Sequence, residues 1–521
     1  MSKHSAQAAQ HPDESEWPAI HRRHFLGLAA AATIGPAGPL MAATRANSDG
    51  DLHELGLADA VRAIRKGEVS SEAYVGQLLT RARNQADLNA FITIDEGPVM
   101  EAARQADLSL RAGRSAPLLG VPLAVKDSYM TRGLTTTFGT SVLADFRPTR
   151  DAEAVARVKD AGAIVFGKNN LAEMSYGLTG LNEHHGQVKN PYDRAHVTGG
   201  SSSGAGASVA ARIVPAALGG DTVGSIRVPA SLCGVVGYKP TPGRWPSKGV
   251  APISDTLDTT GLLARSVEDC ELMDAILTRS PMLGSGATAK LKGVKLAWAP
   301  RQQLADADPQ VDRAFRETLR KLQDAGAELV EIDLGTDFMA LANRTTWPIF
   351  FHDTMPAVRD FLAANEVPAT FEQIYEGLGE RIKSSWTRAV LPSSPGYISE
   401  EKYLAALSGD RQELRRRLAT MAFGQADALL FPTTLCAAPR IEDQWKFQVN
   451  GKEVTDLFLS RNTHPSSAAG LPGVSLPMAL TSQGLPLGLE VDGAPGRDRQ
   501  LLALARRIEG VIGRVPGPVA S

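Results

Sequence analysis

Two short loops rich in serine and glycine carry the densest chemistry in this chain. The first is Thr198-Gly199-Gly200-Ser201-Ser202-Ser203-Gly204-Ala205-Gly206-Ala207-Ser208. The second is Gly219-Gly220-Asp221-Thr222-Val223-Gly224-Ser225-Ile226-Arg227-Val228-Pro229. Small residues at a helix start leave backbone N–H groups free to face an anion or an oxyanion. Either loop alone reads as a tight turn. Two of them close together, each offering an accessible hydroxyl, point instead to a serine nucleophile. Such a hydroxyl attacks weakly at pH 7 and needs a base.

Histidine is the first base to test. Gly200-Ser201-Ser202-Ser203-Gly204 matches the G-x-S-x-G nucleophile elbow, but that elbow needs a strand directly before it. His196-Val197-Thr198-Gly199-Gly200 reads as loop, and neither His352 nor His464 has a recognisable setting as the partner base. Glu183-His184-His185 with His196 lacks the H-E-x-x-H spacing of a metal site, so no metal is expected. Leu232-Cys233-Gly234-Val235-Val236 reads as a buried strand, which makes Cys233 a packing residue rather than a nucleophile.

Lysine is the remaining base. Leu118–Val125 is an apolar, strand-like run that ends in Lys126-Asp127. Desolvation penalises an ammonium at the end of a buried strand. Lowering its pKa from about 10.4 towards 7–8 would make a neutral amine available as a general base. The plainer reading is a lysine paired with Asp127 or another acid.

These groups need a scaffold, and the 521-residue composition allows a large one. Hydrophobic residues make up 43% and charged residues 21%, so most of the chain can bury a core. Lys plus Arg number 55 against 57 Asp plus Glu, a net charge of −2, which lacks the basic footprint of a nucleic-acid binder. Three widely spaced cysteines (Cys233, Cys270, Cys436) indicate neither a disulfide framework nor a zinc module. Helix and strand signals alternate. Residues 151–162 read as a helix leading into an apolar strand at 163–166. Residues 309–326 place Val311, Phe315, Leu319 and Leu322 at helical spacing before a strand at 328–332. Further short apolar runs lie at 294–298, 428–431 and 474–476. One large α/β domain accounts for this pattern.

Residues 335–450 differ in texture. They hold Trp347, Phe350, Phe351, Trp386, Trp445 and Phe447 with few strand signals, and are read as helical cover that could also shape a substrate pocket. Arg411, Arg415, Arg416 and Arg417 surround Leu414 and Leu418, four apart, as on a solvated amphipathic helix. At the other end, Arg22-Arg23-His24-Phe25-Leu26 resembles a twin-arginine export signal, with a broken apolar stretch behind it to Leu40. That stretch is too short and interrupted to span a bilayer as a helix. The expected organisation is a signal peptide over 1–46 and a catalytic domain over 51–515, with a periplasmic or otherwise exported product.

Taken together, the motifs resemble the amidase signature family. The resemblance rests on Gly120–Asp127, Gly199–Gly204, Asp221–Ala230, Cys233–Thr241, Leu257–Gly261 and Gly470–Pro477. It implies a single large domain with a central mixed β-sheet flanked by helices, and a Ser–cisSer–Lys triad. Ser225 sits where the family has its acylated nucleophile. Ser201 sits at the bridging serine, whose peptide bond from Gly200 would be cis, and Lys126 matches the terminal base. Backbone N–H groups of Val223, Gly224 and Ser225, with Thr222 adjoining, would hold the oxyanion, and Ser175 aligns with a substrate-side position. Val223 departs from the family, which commonly has glycine there. Either the loop uses ordinary φ at this position or the oxyanion hole is altered.

Around Ser225 and Asn190-Pro191-Tyr192-Asp193 the chain looks most like the indoleacetamide and mandelamide hydrolase type. The implied reaction is hydrolysis of a small aryl or arylacetyl amide. Carbamates, anilides and esters are open to the same acyl-enzyme route. The implied rival is the amidase subunit of a tRNA-dependent amidotransferase, which the export signal disfavours. No cofactor, metal, nucleic acid or stable membrane anchor is implied, and a monomer or homodimer is expected.

Overall fold

Short apolar runs bounded by glycine or proline become the strands of one sheet. The computed structural model describes residues 51–283 and 290–518, so the signal-like segment at 1–46 lies outside the described residues. The strands are β1 (Phe91–Thr93), β2 (Pro122–Lys126), β3 (Ile164–Asn169), β4 (Ala216–Asp221), β5 (Val236–Lys239) and β6 (Thr259–Ala264). They continue with β7 (Lys295–Trp298), β8 (Glu328–Glu331), β9 (Ala428–Pro432), β10 (Gly473–Leu480) and β11 (Pro486–Asp492). Their order is β1-β3-β2-β4-β6-β5-β10-β11-β9-β7-β8, an 11-stranded mixed sheet. The sheet is parallel where β2 meets β3 and β4, and again where β7 meets β9 and β8. It is antiparallel through its centre. Strands covered on both faces need continuous apolar sequence, and all five residues of β2 are buried.

Register decides what meets at one edge. Val125 of β2 lies opposite Leu218 of the parallel β4, so both strands deliver their carboxyl ends, Lys126 and Asp221, to the same side. Antiparallel β6 pairs Thr259 with Asp221, which brings the preceding residue, Asp258, to that side too. Open α/β sheets place ligands beyond such carboxyl ends.

The helices follow local rules. The helix Glu153–Asp160 ends just before Gly162 at φ 92, and β3 follows. Pro309–Asp324 begins with an Asp308 cap and Pro at its first turn, and buries Val311, Phe315, Leu319 and Leu322. Leu414 and Leu418 are buried in the helix Arg411–Leu418, while Arg411 and Arg415 donate to the Ala468 and Ala469 carbonyls.

Residues 232–236 do not form the strand that their apolar run suggests. Leu232 and Cys233 end the helix Arg227–Cys233, and β5 starts at Val236. Gly234 takes the left-handed conformation at φ 65 and stops the helix. Cys233 is buried, as expected, with its thiol donating to the Thr198 carbonyl.

The aromatic insert is helical cover and more. The helix Phe338–Ala364 packs Phe350 edge-on against Tyr176, which also meets Trp386 at 5.4 Å. Tyr176 follows Ser175, so the insert braces a predicted substrate-side segment. Among the described residues no helix is long and apolar enough to cross a membrane.

Candidate active site

Lys126 closes β2 and is 1% exposed. Its Nζ donates to Ser201 Oγ at 2.8 Å. Burial lowers its pKa to about 7, and the nearby Asp258 and Asp221 carboxylates only partly offset that. The expected alternative, a pair with Asp127, is not formed. Asp127 meets Lys168 at 3.2 Å and accepts from the Thr137 N–H and hydroxyl.

The two serine loops are clasped together at this point. The Ser202 N–H donates to the Ser225 carbonyl at 3.2 Å, and Ser202 Oγ donates to the Gly220 carbonyl at 3.1 Å. The Gly200–Ser201 peptide bond is cis. The Ser201 carbonyl accepts from the Ala172 N–H, which holds the first loop against the segment leading to Ser175. Ser225 is 3% exposed and directly precedes Ile226, the cap of the helix Arg227–Cys233.

Asp221 shapes the second loop. Its carboxylate accepts from the Ile226 and Arg227 N–H groups and forms an ion pair with the Arg227 guanidinium at 3.0 Å. Both side chains are fully buried. Burial alone would raise the Asp221 carboxyl, but Arg227 outweighs it and holds the group below its ordinary value. Folding the chain back from Asp221 to Ile226 leaves residues 222–225 as a turn that is buried throughout. Among the described residues, no protein acceptor takes the N–H of Val223, Gly224 or Ser225. Those three donors can serve a developing negative charge.

The substitution at Val223 leaves this turn intact. Val223 has an ordinary negative φ, and its side chain packs into the main hydrophobic core. The conformational demand falls on Gly224, at φ 141. A Cβ there would also collide with the Thr463 hydroxyl.

Lys126, Ser201, Thr222 and Ser175 all line a cavity of about 820 Å³. Ala357, Phe361 and Ala364 of the aromatic insert's long helix form part of its wall, with Asp258, Ile253 and Val250 on another side. The histidines weighed as bases are engaged elsewhere: His352 meets Glu400 at 3.2 Å, and buried His464 contacts the Ser460 carbonyl. No group of three or more His, Cys, Asp or Glu able to hold a metal occurs among the described residues.

Sequence reasoning did not single out several residues that shape the site. Thr463 Oγ1 donates to the Val223 carbonyl at 2.6 Å from 240 positions away. Arg227 also reaches Ser466, Ser467 and Glu490, while Lys239 donates to the Leu471 carbonyl. Glu490 and Asp492 lie beside Arg227 with buried carboxylate oxygens, and Gly473 gives them room: a Cβ there would meet each at 2.5 Å.

Known proteins share this architecture along nearly its whole length. The family model described as Amidase matches residues 73–502. The chain is 35% identical over 488 residues to the mandelamide hydrolase of Pseudomonas putida, covering 90% of this chain and 94% of that one. It is 32% identical over 461 residues to an indoleacetamide hydrolase of Allorhizobium ampelinum, covering 88% and 97%. A glutamyl-tRNA(Gln) amidotransferase subunit from Desulforapulum autotrophicum is 34% identical over 494 residues, covering 90% and 99%. Among solved structures, a crystal structure of an amidase superposes with a TM-score of 0.78 at 30% identity, covering 88% of this chain and all of that one.

Proposed function

The chain belongs to the amidase family, and from that premise we propose that it hydrolyses the C–N bond of a small linear amide through an acyl-enzyme on Ser225. The observation that carries the mechanism is the 2.8 Å contact between buried Lys126 and Ser201, on a loop clasped to the one bearing Ser225.

In this reading the neutral Lys126 amine accepts a proton from Ser201 Oγ as Ser201 accepts one from Ser225 Oγ. The Ser225 oxygen bonds to the amide carbon. The carbonyl π pair moves onto oxygen, where the N–H groups of Val223, Gly224 and Ser225 receive it. As the tetrahedral centre collapses, the proton returns through Ser201 to the leaving nitrogen, the C–N bond breaks, and ammonia or an amine departs. Water repeats the sequence on the ester, releasing the carboxylic acid and restoring Ser225. Losing one oxyanion donor costs about 3–4 kcal/mol in comparable enzymes.

An aryl or arylacetyl acyl group is supported by the similarity to mandelamide and indoleacetamide hydrolases. Carbamates, anilides and esters fit the same steps because only the group attached to the carbonyl changes. The similarity to the amidotransferase subunit favours a second reading, in which partner subunits hand the reaction a tRNA-linked acceptor. Export through the Arg22-Arg23 segment is part of the proposal and argues for the free-standing hydrolase.

The test is a panel of aliphatic amides, aryl amides, anilides, carbamates and esters, run with wild type, Ser225→Ala and Lys126→Ala. Acid release from aryl amides, lost in both variants, is expected. Wild-type turnover in Ser225→Ala sinks the mechanism. Release of no acid from any class, with activity appearing only alongside amidotransferase partner subunits, sinks the free-standing hydrolase.

A further inference from the structure

The 222–225 turn has two side-chain holds, Thr463 on the Val223 carbonyl and a buried carboxylate on Thr222. Asp258 precedes β6 and lines the cavity beside Lys126 and Ser201. Its Oδ1 accepts from Thr222 Oγ1 at 2.6 Å. Its Oδ2 accepts from the Ile253 and Ser254 N–H groups at 2.7 and 3.2 Å. Ser254 Oγ in turn donates to Asp353, on the long helix of the insert, at 2.5 Å.

Resting on the serine acyl-enzyme reading above, we infer that Asp258 is a positioning residue: its carboxylate pins Thr222, and through it the Val223–Ser225 turn, to the cavity wall. A hydroxyl–carboxylate bond is among the stronger hydrogen bonds. Anchoring the first residue of a turn fixes where the following N–H groups aim, which matters most when charge develops on the substrate oxygen. The same carboxylate lines the cavity with Lys126, where its charge favours the ammonium form. The other carboxylate that does so is Asp221, which Arg227 and Lys239 hold from behind. Asp255 faces Asp258 from its own loop, with Asp353 and Asp360 beyond it on the long helix. Asp258 therefore acts twice, as an anchor through Thr222 and as a charge on Lys126.

Two effects give two separable readouts. Asp258→Asn, Thr222→Val and the double variant are compared with wild type on an amide the wild type cleaves, and in the rate of Ser225 labelling by an aryl fluorophosphonate. Each single variant is expected to lose about 10- to 100-fold in kcat and in labelling rate, with KM within about two-fold. The double variant is expected to be no worse than the weaker single by more than about two-fold, because both remove one contact. Asp258→Asn alone is expected to move the acidic limb of kcat/KM to lower pH by about one unit, since the ammonium loses a counter-charge. Independent losses, a change confined to KM, or an unmoved limb overturns the proposal. If Asp258→Asn does not fold, wild-type kcat and labelling in Thr222→Val overturn it. If no amide on the panel is cleaved, the hydrolase reading fails while the labelling rates still decide the role of Asp258.

Discussion

Thr463 Oγ1 donates to the Val223 carbonyl at 2.6 Å and fills the space in which a Cβ on Gly224 would lie. One hydroxyl thus fixes the carbonyl of one residue of the proposed oxyanion turn and forbids a side chain on the next. Gly224→Ala must shift this contact and also strain a φ of 141. We expect kcat to fall by about 100-fold, the scale of a lost oxyanion donor. Steady-state kinetics check it, and a Gly224→Ala variant within two-fold of wild type would remove the turn from the mechanism.

In the proposed mechanism Lys126 works only as the free amine, and burial brings its pKa down to about 7. The kcat/KM profile should therefore rise through pH 7 and level off above it. Lys126→Arg keeps a cation that cannot give up its proton at these pH values, so activity should be lost across the profile. A pH-independent profile in wild type, or an active arginine variant, contradicts this role.

The same burial has a stability consequence of definite sign. Folded Lys126 releases its proton near 7, whereas an unfolded lysine holds it to about 10.4. Between those values the unfolded chain binds the extra proton, so this group makes stability rise with pH. Lys126→Met should have a higher Tm than wild type, most clearly below pH 7, with the difference closing towards pH 10. Calorimetry at several pH values measures it.

Glu490 and Asp492 titrate in the opposite direction. Burial is the main cause that pushes both carboxyls above their ordinary range, and Arg227 only partly offsets it. Their neutral forms are favoured in the fold, so their contribution is fully present below the unfolded carboxylate range and is lost as pH rises through the raised values. Glu490→Gln should gain Tm relative to wild type as pH rises from 5 towards 9. A constant difference would rule out a raised Glu490 carboxyl in the fold.

Arg227 is the cation for that buried cluster. Removing it as Arg227→Met leaves the buried Asp221 carboxylate without its ion-pair partner and should cost about 3–5 kcal/mol. Urea titration reads the loss. A stability within 1 kcal/mol of wild type would show that the cluster adjusts by taking up protons.

The meeting of Lys126 with the Ser201 loop was suggested by local sequence, while the roles of Ser225, Ser201 and Lys126 came from the family resemblance. An apolar run that must be a buried strand ends in Lys126, and two loops built of glycine and serine can do little except bring backbone and hydroxyls close to something. The alternation of apolar runs and helical spacing likewise implied an α/β sheet, with boundaries shifted by a few residues. Cys233 shows the limit of that reading, since an apolar stretch cannot say whether it is strand or the last turn of a helix. Gly234 decided the matter by adopting the left-handed conformation.

What tertiary structure alone decided is which distant groups meet at the carboxyl ends of β2 and β4. Thr463 lies 240 positions from Val223, and Ser467 240 from Arg227. Asp258 is brought to Thr222 by the antiparallel pairing of β6 with β4. Asp127, adjacent to Lys126 in sequence, pairs with Lys168 instead. Local sequence fixes backbone conformation and apolar burial. Ion pairing and pKa depend on distance through space, and strand order and register, not sequence separation, set those distances.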